Sequence, residues 1–277
     1  MRRRRCRPAY PLGDFQMSFD DDLFDARHRP RLGAFVRRAY ASVFSDLGRF
    51  VDQNVFWLLA FFVTVECLDL YLADTAKQAA ASLTGSLFAS GIAVGWHRYV
   101  LLGEERSPLA ALRFGTREGR FWLLSLTFAA ATLLFAVALS FTAVFVRAAL
   151  PPGGIFLVIV GSAVALGLGA FLTARLSLAF PLIALEERAP LRTAWAASRM
   201  HGWFIFKLMF VTTLPMVVVI QASRWIGLQL APTAGPYIRM AFALLSDGFW
   251  VAAVCIGAAA ISLAARALLG NARDVTA

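Results

Sequence analysis

The chain is poor in charge, cysteine and histidine, and each shortage argues against a class of protein. Only 16% of its 277 residues are charged, whereas soluble domains carry about 25%. The three cysteines, Cys6, Cys67 and Cys255, are too few and too far apart for a disulfide framework or a zinc site. The histidines are not at metal-ligand spacing either. We therefore predict no metal ion and no cofactor.

Motifs for common enzymatic chemistry are also absent from the sequence. It contains no His-Glu-x-x-His pair, Walker phosphate loop, nucleophile elbow or paired-cysteine motif. We therefore predict that the chain is not an enzyme. A net charge of +10 often indicates a nucleic-acid-binding protein, but here the basic residues cluster between apolar runs. That placement instead predicts contact with the lipid bilayer and its anionic headgroups, and no nucleic-acid partner.

Long apolar runs make up most of the chain. Hydrophobic residues account for 59% of it. Several runs reach about 20 residues with one or two charges, which is the length that an α-helix needs to cross hydrocarbon. The predicted fold class is therefore all-α, a polytopic membrane helical bundle with about six transmembrane helices. The predicted spans are Val55–Tyr71, Ala79–Trp96, Phe121–Val146, Ile155–Phe180, Trp203–Ile220 and Met240–Leu269.

Polar segments flank the apolar runs at both ends of the chain. Residues 1–30 are predicted to be a disordered polar segment, and residues 271–277 a short tail. Residues 31–270 are predicted to form a single membrane domain. Within it, Pro151–Gly154 and Ala231–Pro236 are predicted turns, because proline and glycine interrupt helices there.

Lysine and arginine are distributed unevenly between the loops, and this asymmetry predicts the orientation. Of the 27 basic residues, 21 fall in segments 1–54, 97–120, 183–202 and 266–273, against four in the loops on the other side. Because short basic loops stay in the cytoplasm, both termini are predicted to be cytoplasmic and the number of spans even. We expect a multi-pass protein of the inner cell membrane.

A basic amphipathic helix is predicted over residues 31–50, before the first span. Its apolar positions recur every three or four residues, with arginines between them. Such a helix can lie in the membrane interface with its arginines at anionic headgroups. It can equally pack against the cytoplasmic face of the bundle, and the pattern does not choose between the two. The apolar positions are Leu32, Val36, Tyr40, Val43, Leu47 and Phe50.

A short motif that occurs twice predicts an internal repeat. The segments at 104–109 and 186–191 both read Glu-Glu-Arg-x-Pro-Leu. A glycine, Gly119 or Gly202, lies further along each copy, just before the next span. Proline suits the first position of a helix, and acidic residues suit its positive N-terminal end. The simplest account is three units, each an amphipathic cytoplasmic helix (about 31–50, 107–119 and 190–201) followed by a transmembrane hairpin. The motif residues are Glu104, Glu105, Pro108, Gly119, Glu186, Glu187, Pro190 and Gly202.

Four ionisable residues lie within or near the ends of the predicted spans. Such groups are costly in hydrocarbon and are therefore candidates for function. Glu66, Asp69 and Asp247 lie toward the outer ends of spans 1 and 6 and could form a path for protons or cations. Arg175 lies in the inner part of span 4. The alternative is structural: Asp69 and Asp247 reach interfacial water, and Arg175 extends toward the inner interface.

Small residues spaced four apart occur on spans 2 and 4. They predict close packing of helices within the bundle, with homodimerisation as the alternative. The pairs are Gly91 with Gly95, Ala163 with Gly167, and Ala165 with Gly169.

One stretch of the sequence carries a recognisable set of residues. They are Arg175, Pro181, Glu186-Glu187, Ala194-Trp195 and Gly202-Trp203. This set resembles a motif in a bacterial six-span membrane-protein group related to the membrane domain of membrane-anchored glycerophosphodiester phosphodiesterases. The close match covers residues 175–203, and the six-span layout extends it over residues 31–270. The resemblance implies a fold and a bacterial membrane location, and not phosphodiesterase activity, which resides in a separate soluble barrel.

Two functions remain open from the sequence. The first is a noncatalytic membrane module that scaffolds lipids, or a membrane or cytoplasmic protein partner, through its amphipathic helices. The alternative is a small transporter or channel that uses the acidic residues in spans 1 and 6. A transporter needs a polar cavity near the midplane, usually with broken helices. Spans 3 and 6 are apolar over their middle and only Pro215 interrupts span 5, so the sequence favours the module.

Overall fold

The chain is helical almost throughout the part that the computed structural model describes. That part comprises residues 23–24, 29–45, 47–71, 74–105, 114–149 and 154–274. No strand forms within these ranges beyond an isolated bridge between Phe24 and Pro30, so the all-α prediction is confirmed. The helices are α1 (Leu32–Phe44), α2 (Leu47–Tyr71), α3 (Asp74–Leu102), α4 (Thr116–Ala149), α5 (Gly154–Leu176), α6 (Ala179–Ala184), α7 (Pro190–Ala197), α8 (Gly202–Ala234) and α9 (Pro236–Asp274).

Five helical segments of the described chain are long and apolar enough to cross a membrane. They correspond to predicted spans 2 to 6 and confirm a polytopic helical bundle. The first predicted span forms the second part of α2 but is not among the five. The side chains of Glu66 and of residues 68–71, in the second half of that span, lie outside the described part of the structure, so the sixth crossing stays a prediction. The five segments are Ala79–Leu102, Thr116–Thr142, Ile159–Ala184, Gly202–Leu230 and Met240–Leu269.

The long helices run up and down, so that their ends gather at two poles of the bundle. Arg49 near the start of α2 meets Tyr99 near the end of α3, and Phe61 further along α2 packs on Phe88. Helices α2 and α3 are therefore antiparallel. At this pole α2, α4 and α8 begin and α3, α5 and α9 end, and α1 packs there as well. We call this pole the α1 end.

Helix α9 is the central helix of the bundle. It packs against α8, α3, α1 and α2. Its inward positions carry small residues such as Ala259, Ala260 and Ala264, all completely buried. Small side chains let helix backbones approach closely, which is how helices gain packing energy inside a membrane. In the most apolar stretch of helix α4, by contrast, no residue is buried, as expected of a helix that faces lipid.

Helix α1 buries its apolar face against the bundle. Phe35 and Val43 are completely buried, and α1 contacts both α8 and α9. The Phe35 ring meets the edge of Phe204 with 5.1 Å between centroids. The Tyr40 hydroxyl donates to the carbonyl of Thr212 at 3.0 Å, and burial raises the pKa of this phenol, which keeps it a neutral donor. Of the two predicted positions for this amphipathic helix, the membrane interface and the face of the bundle, the structure shows the second.

Helix boundaries at the α1 end differ from the prediction in three places. The segment at 31–50 is not one helix, because α1 stops at Phe44 and Leu47 already opens α2. The second amphipathic helix was predicted to end at Gly119, but α4 already begins at Thr116. Residues 106–113, which include Pro108 and most of the second predicted amphipathic helix, lie outside the described residues. The third amphipathic helix, α7, ends four residues before the predicted 201.

Proline and glycine behave differently at two predicted helix boundaries. Pro190 occupies the first turn of α7, as the repeat motif predicts. The predicted loop at Ala231–Pro236 is mostly helical instead, because α8 continues to Ala234 and α9 begins at Pro236. The chain reverses at Gly235, whose φ of 81° lies in the left-handed region that glycine adopts without strain.

Candidate functional site

Charged side chains at the α1 end connect the helices to one another. Arg98 on α3 pairs with Glu104, which follows the same helix. Its guanidinium also donates to the carbonyl of Ala184, the last residue of α6, at 2.9 Å. The Arg98 side chain is only 12% exposed, so its bond to the Ala184 carbonyl is partly shielded from water, whereas the Glu104 side chain is 45% exposed. Arg98 thus joins the hairpin of α2 and α3 to α6, which follows the hairpin of α4 and α5.

Two further arginine–glutamate pairs lie near Arg98. Arg49 lies 3.3 Å from the carboxylate of Glu105 and donates to the hydroxyl of Tyr99 at 2.7 Å. Arg117 at the start of α4 pairs with Glu186. Exposed pairs of this kind stabilise a protein by about 0–1 kcal/mol each. Their main effect is therefore to align helix ends, and three of the four predicted repeat glutamates take part.

Both copies of the glutamate motif lie where a helix ends at a residue with a left-handed backbone. Gly103 after α3 and Glu186 after α6 both have left-handed backbones, with φ of 67° and 62°. This conformation lets the next amides bond back to the helix, as Glu187 N–H does to the Leu182 carbonyl at 2.9 Å. The left-handed residue falls one position later in the second copy of the motif. The internal repeat stays a prediction.

The residues of the motif near Arg175 come together around α7. Arg175, in the last turn of α5, donates to the hydroxyl of Ser198 at 3.2 Å. Its guanidinium carbon lies 3.9 Å from the ring centroid of Trp195, within the range of a cation–π contact. Gly202 makes room here, since a methyl group on it would lie 2.8 Å from the ring of Phe171. Arg175 therefore joins α5 to α7 and is not an isolated charge in hydrocarbon.

The three acidic candidates lie toward the opposite pole of the bundle. Asp247 on α9 is 9% exposed and follows Ser246, whose hydroxyl lies 2.9 Å from that of Ser223 on α8. Glu66 and Asp69 belong to α2, but their side chains lie outside the described part of the structure. Helices α2 and α9 are in contact, so the acidic positions occupy neighbouring helices. A proton or cation path through them stays a prediction.

A polar pair that sequence reasoning missed lies between α3 and α9. His97 Nδ1 is 2.7 Å from Ser262 Oγ, and the two residues are 1% and 0% exposed. A serine hydroxyl at a histidine ring is also the geometry of an activated nucleophile. Both side chains are enclosed by the bundle, so the contact joins α3 to α9 in its interior. In the sequence, this pair is indicated by the position of both polar residues inside apolar runs.

Gly91 marks a close approach between α2 and α3. A methyl group on Gly91 would lie 2.6 Å from Cη2 of Trp57, a ring that is itself buried. At Gly95 and Gly167 the same added methyl would meet no described atom within 4 Å beyond the neighbouring backbone. The predicted small-residue pairs are thus unequal, and among these three glycines only Gly91 lies at a tight contact.

The class of this protein follows from its helices. No cluster of three or more His, Cys, Asp or Glu side chains among the described residues could hold a metal ion. No protein-family model, curated protein or solved structure matches the chain. The chain belongs to the broad class of multi-pass membrane proteins built from an all-α bundle.

Proposed function

We propose that this chain is a noncatalytic module of a bacterial inner membrane that scaffolds lipids or a protein partner at its α1 end. Both termini and the α1 end face the cytoplasm in this proposal, because the basic loops gather at that pole. The proposal includes relation to the six-span group that the motif at residues 175–203 resembles. Contacts among Arg175, Trp195 and Gly202 support a shared structural role for that motif.

The surface around α7 is the observation that carries this proposal. Ala194 packs inward and is completely buried, whereas Trp195 on the same helix is 46% exposed. Trp203 and Met200, just after α7, are more exposed still. Exposed aromatic residues beside arginines are typical of a surface that meets anionic headgroups. The exposed arginines of this α7 surface are Arg188, Arg192 and Arg199.

A second candidate function is a small transporter or channel, and the burial of Asp247 favours it. A carboxylate inside a predicted span is a candidate for moving protons or cations. The completely buried alanines along α9 argue against a wide polar path beside it. Proton or cation flux into proteoliposomes, abolished by Asp247→Asn, would support the transporter over the module.

We expect the α7 surface to select anionic lipid. In a variant with Arg188→Gln, Arg192→Gln and Arg199→Gln, the enrichment of phosphatidylglycerol over phosphatidylethanolamine in the purified protein should fall clearly. Each arginine near an anionic surface contributes about 1 kcal/mol, screened by salt, so the loss of three weakens the preference, and the other basic residues at the α1 end retain part of it. Lipid extracted from protein purified in mild detergent, and quantified by mass spectrometry, measures this enrichment.

A matched control removes three positive charges near the other pole. The changes Lys77→Gln, Arg147→Gln and Arg224→Gln should leave the enrichment as in the unmodified protein. Equal loss in both triple variants would indicate a general charge effect. No loss in either would contradict the lipid-binding role of the α7 surface.

The orientation predicts where reporter enzymes become active. Alkaline phosphatase, which is active only outside the cytoplasm, should be active when fused after residue 76, 152 or 233. Fusions after residue 110 or 195 should be inactive, because those loops carry the basic residues that remain inside. Activity of the fusions, normalised to their expression, gives the result. An active fusion at 110 or 195 would overturn the six-span arrangement with both termini inside.

A further inference from the structure

A narrow polar crevice lies between α2 and α3 near the α1 end. Gln53 and Asn54 line it from α2, and Gly95 and Trp96 line it from α3. Its space is about that of one water molecule. Gly95 helps to create that space, since no atom lies within 4 Å of where its side chain would begin.

Two buried hydrogen-bond donors of this crevice have no partner among the described residues. They are the indole nitrogen Nε1 of Trp96 and the amide nitrogen Nε2 of Gln53. Trp96 is 1% exposed, so its N–H is not in contact with bulk water. An indole nitrogen can only donate, and its ring cannot exchange donor for acceptor as a flipped amide can. Trp96 therefore requires an acceptor at this place.

The neighbouring polar side chain does not meet that requirement. Asn54 uses its amide nitrogen to donate to the carbonyl of Phe50 at 2.9 Å. Its amide oxygen faces the thiol of Cys255 on α9, with Sγ at 4.0 Å. Asn54 is thus directed toward its own helix and α9, while the donors of Gln53 and Trp96 have no acceptor in the part of the chain that the structure describes.

We propose that this crevice binds one neutral oxygen acceptor supplied from outside the chain. Gln53 lies six residues from the start of α2 and Trp96 six residues from the end of α3, which is about 9 Å along each helix. In a bilayer, that depth is near the boundary between headgroups and hydrocarbon. Two sources of such an oxygen meet there, the ester carbonyl of a phospholipid and water. The crevice is separate from the α7 surface and does not depend on it.

The indole N–H of Trp96 reports directly on the acceptor. The full chain, labelled with ¹⁵N at its tryptophan indoles, is placed in nanodiscs of diester phosphatidylcholine or of its diether analogue, which lacks ester carbonyls. The Trp96 resonance is assigned from its disappearance in Trp96→Phe. We expect a downfield proton shift, characteristic of a hydrogen-bonded indole, in the diester nanodiscs. An upfield move in the diether lipid identifies the ester carbonyl, and an unchanged shift identifies water.

Filling the crevice should displace the acceptor. Gly95→Val, and the milder Gly95→Ala should the first variant fail to fold, are expected to move the Trp96 signal upfield. Gly167→Val adds the same group at an exposed glycine of α5 and should leave the signal in place. An upfield Trp96 signal in the unmodified protein in both lipids would overturn the proposal. So would a downfield signal that neither Gly95 variant moves, because the acceptor would then be a protein group.

Discussion

Replacing Gly91 with alanine should lower the free energy of unfolding by about 1–3 kcal/mol, the usual effect of overpacking a well-filled interior. The added methyl group would collide with the Trp57 ring, which is rigid, buried and packed edge-on against Phe88. Relief requires α2 and α3 to separate, and that separation also disturbs the contact of α2 with α9. Unfolding of the purified protein in mixed micelles of increasing SDS content, followed by circular dichroism, measures the change.

Gly167→Ala is the matched control for this substitution. Gly167 belongs to another predicted small-residue pair, but no atom lies within 4 Å of its added methyl group. Alanine is favoured over glycine in a helix by up to about 1 kcal/mol, so this variant should be unchanged or slightly stabilised. If both variants lose stability equally, glycine flexibility and not the contact with Trp57 is responsible. If Gly91→Ala is neutral, α2 and α3 are not packed through this contact.

The apolar runs predicted the long helices well, because crossing hydrocarbon requires both helix and length. The position of α1 was harder to predict, since lipid and a protein interior are equally apolar environments for an amphipathic helix. The residues that decide it are Phe35, Ala39 and Val43, which are completely buried. Two of these three were not in the predicted apolar stripe, while its member Leu47 is 54% exposed. Only the neighbouring helices determine which face turns inward.

For the contacts at the α1 end, the sequence indicated which residue types take part but not which residues pair with each other. The glutamates of the repeated motif were identified from the sequence, but the partners of Glu105 and Glu186 lie far away in the chain. Arg49 pairs with Glu105 and Arg117 with Glu186, and nothing local links either pair. Arg175 was considered as a charge inside a span, whereas its contact with Trp195 depends on how α7 folds back. Long-range pairs of this kind follow from helix packing, which the pattern of one sequence does not specify.

The roles of uncharged polar residues were the hardest to predict from the sequence. Only ionisable side chains were candidates for function in the predicted spans, so Asn54, just before the first span, and Ser262 were not identified. A buried amide or hydroxyl in an apolar helix also needs a partner, because none is available in lipid. For the same reason, His97 is expected to contact a polar group on another helix. The sequence alone does not identify Ser262 as that group, because it lies 165 residues further along the chain.

The pair of His97 and Ser262 should dominate the stability of the contact between α3 and α9. His97→Ala is expected to lower the free energy of unfolding by about 2–5 kcal/mol, because it removes a large buried ring and leaves a cavity. Ser262→Ala should cost less, about 1 kcal/mol, since it removes only the hydroxyl partner. SDS titration of both single variants and of the double variant gives a double-mutant cycle.

The coupling energy from that cycle separates the hydrogen bond from the packing of the ring. Hydrogen bonds between membrane helices average about 0.6 kcal/mol and reach about 1.7, so the coupling should fall in that range and stay below the effect of His97→Ala. A matched cycle of His97→Ala with Ser223→Ala should be additive, because Ser223 pairs with Ser246 toward the other pole. Zero coupling between His97 and Ser262 would mean that the 2.7 Å contact adds nothing beyond packing. Coupling with Ser223 as strong as with Ser262 would instead mean that His97→Ala loosens the whole bundle, and the local interpretation of the pair would fail.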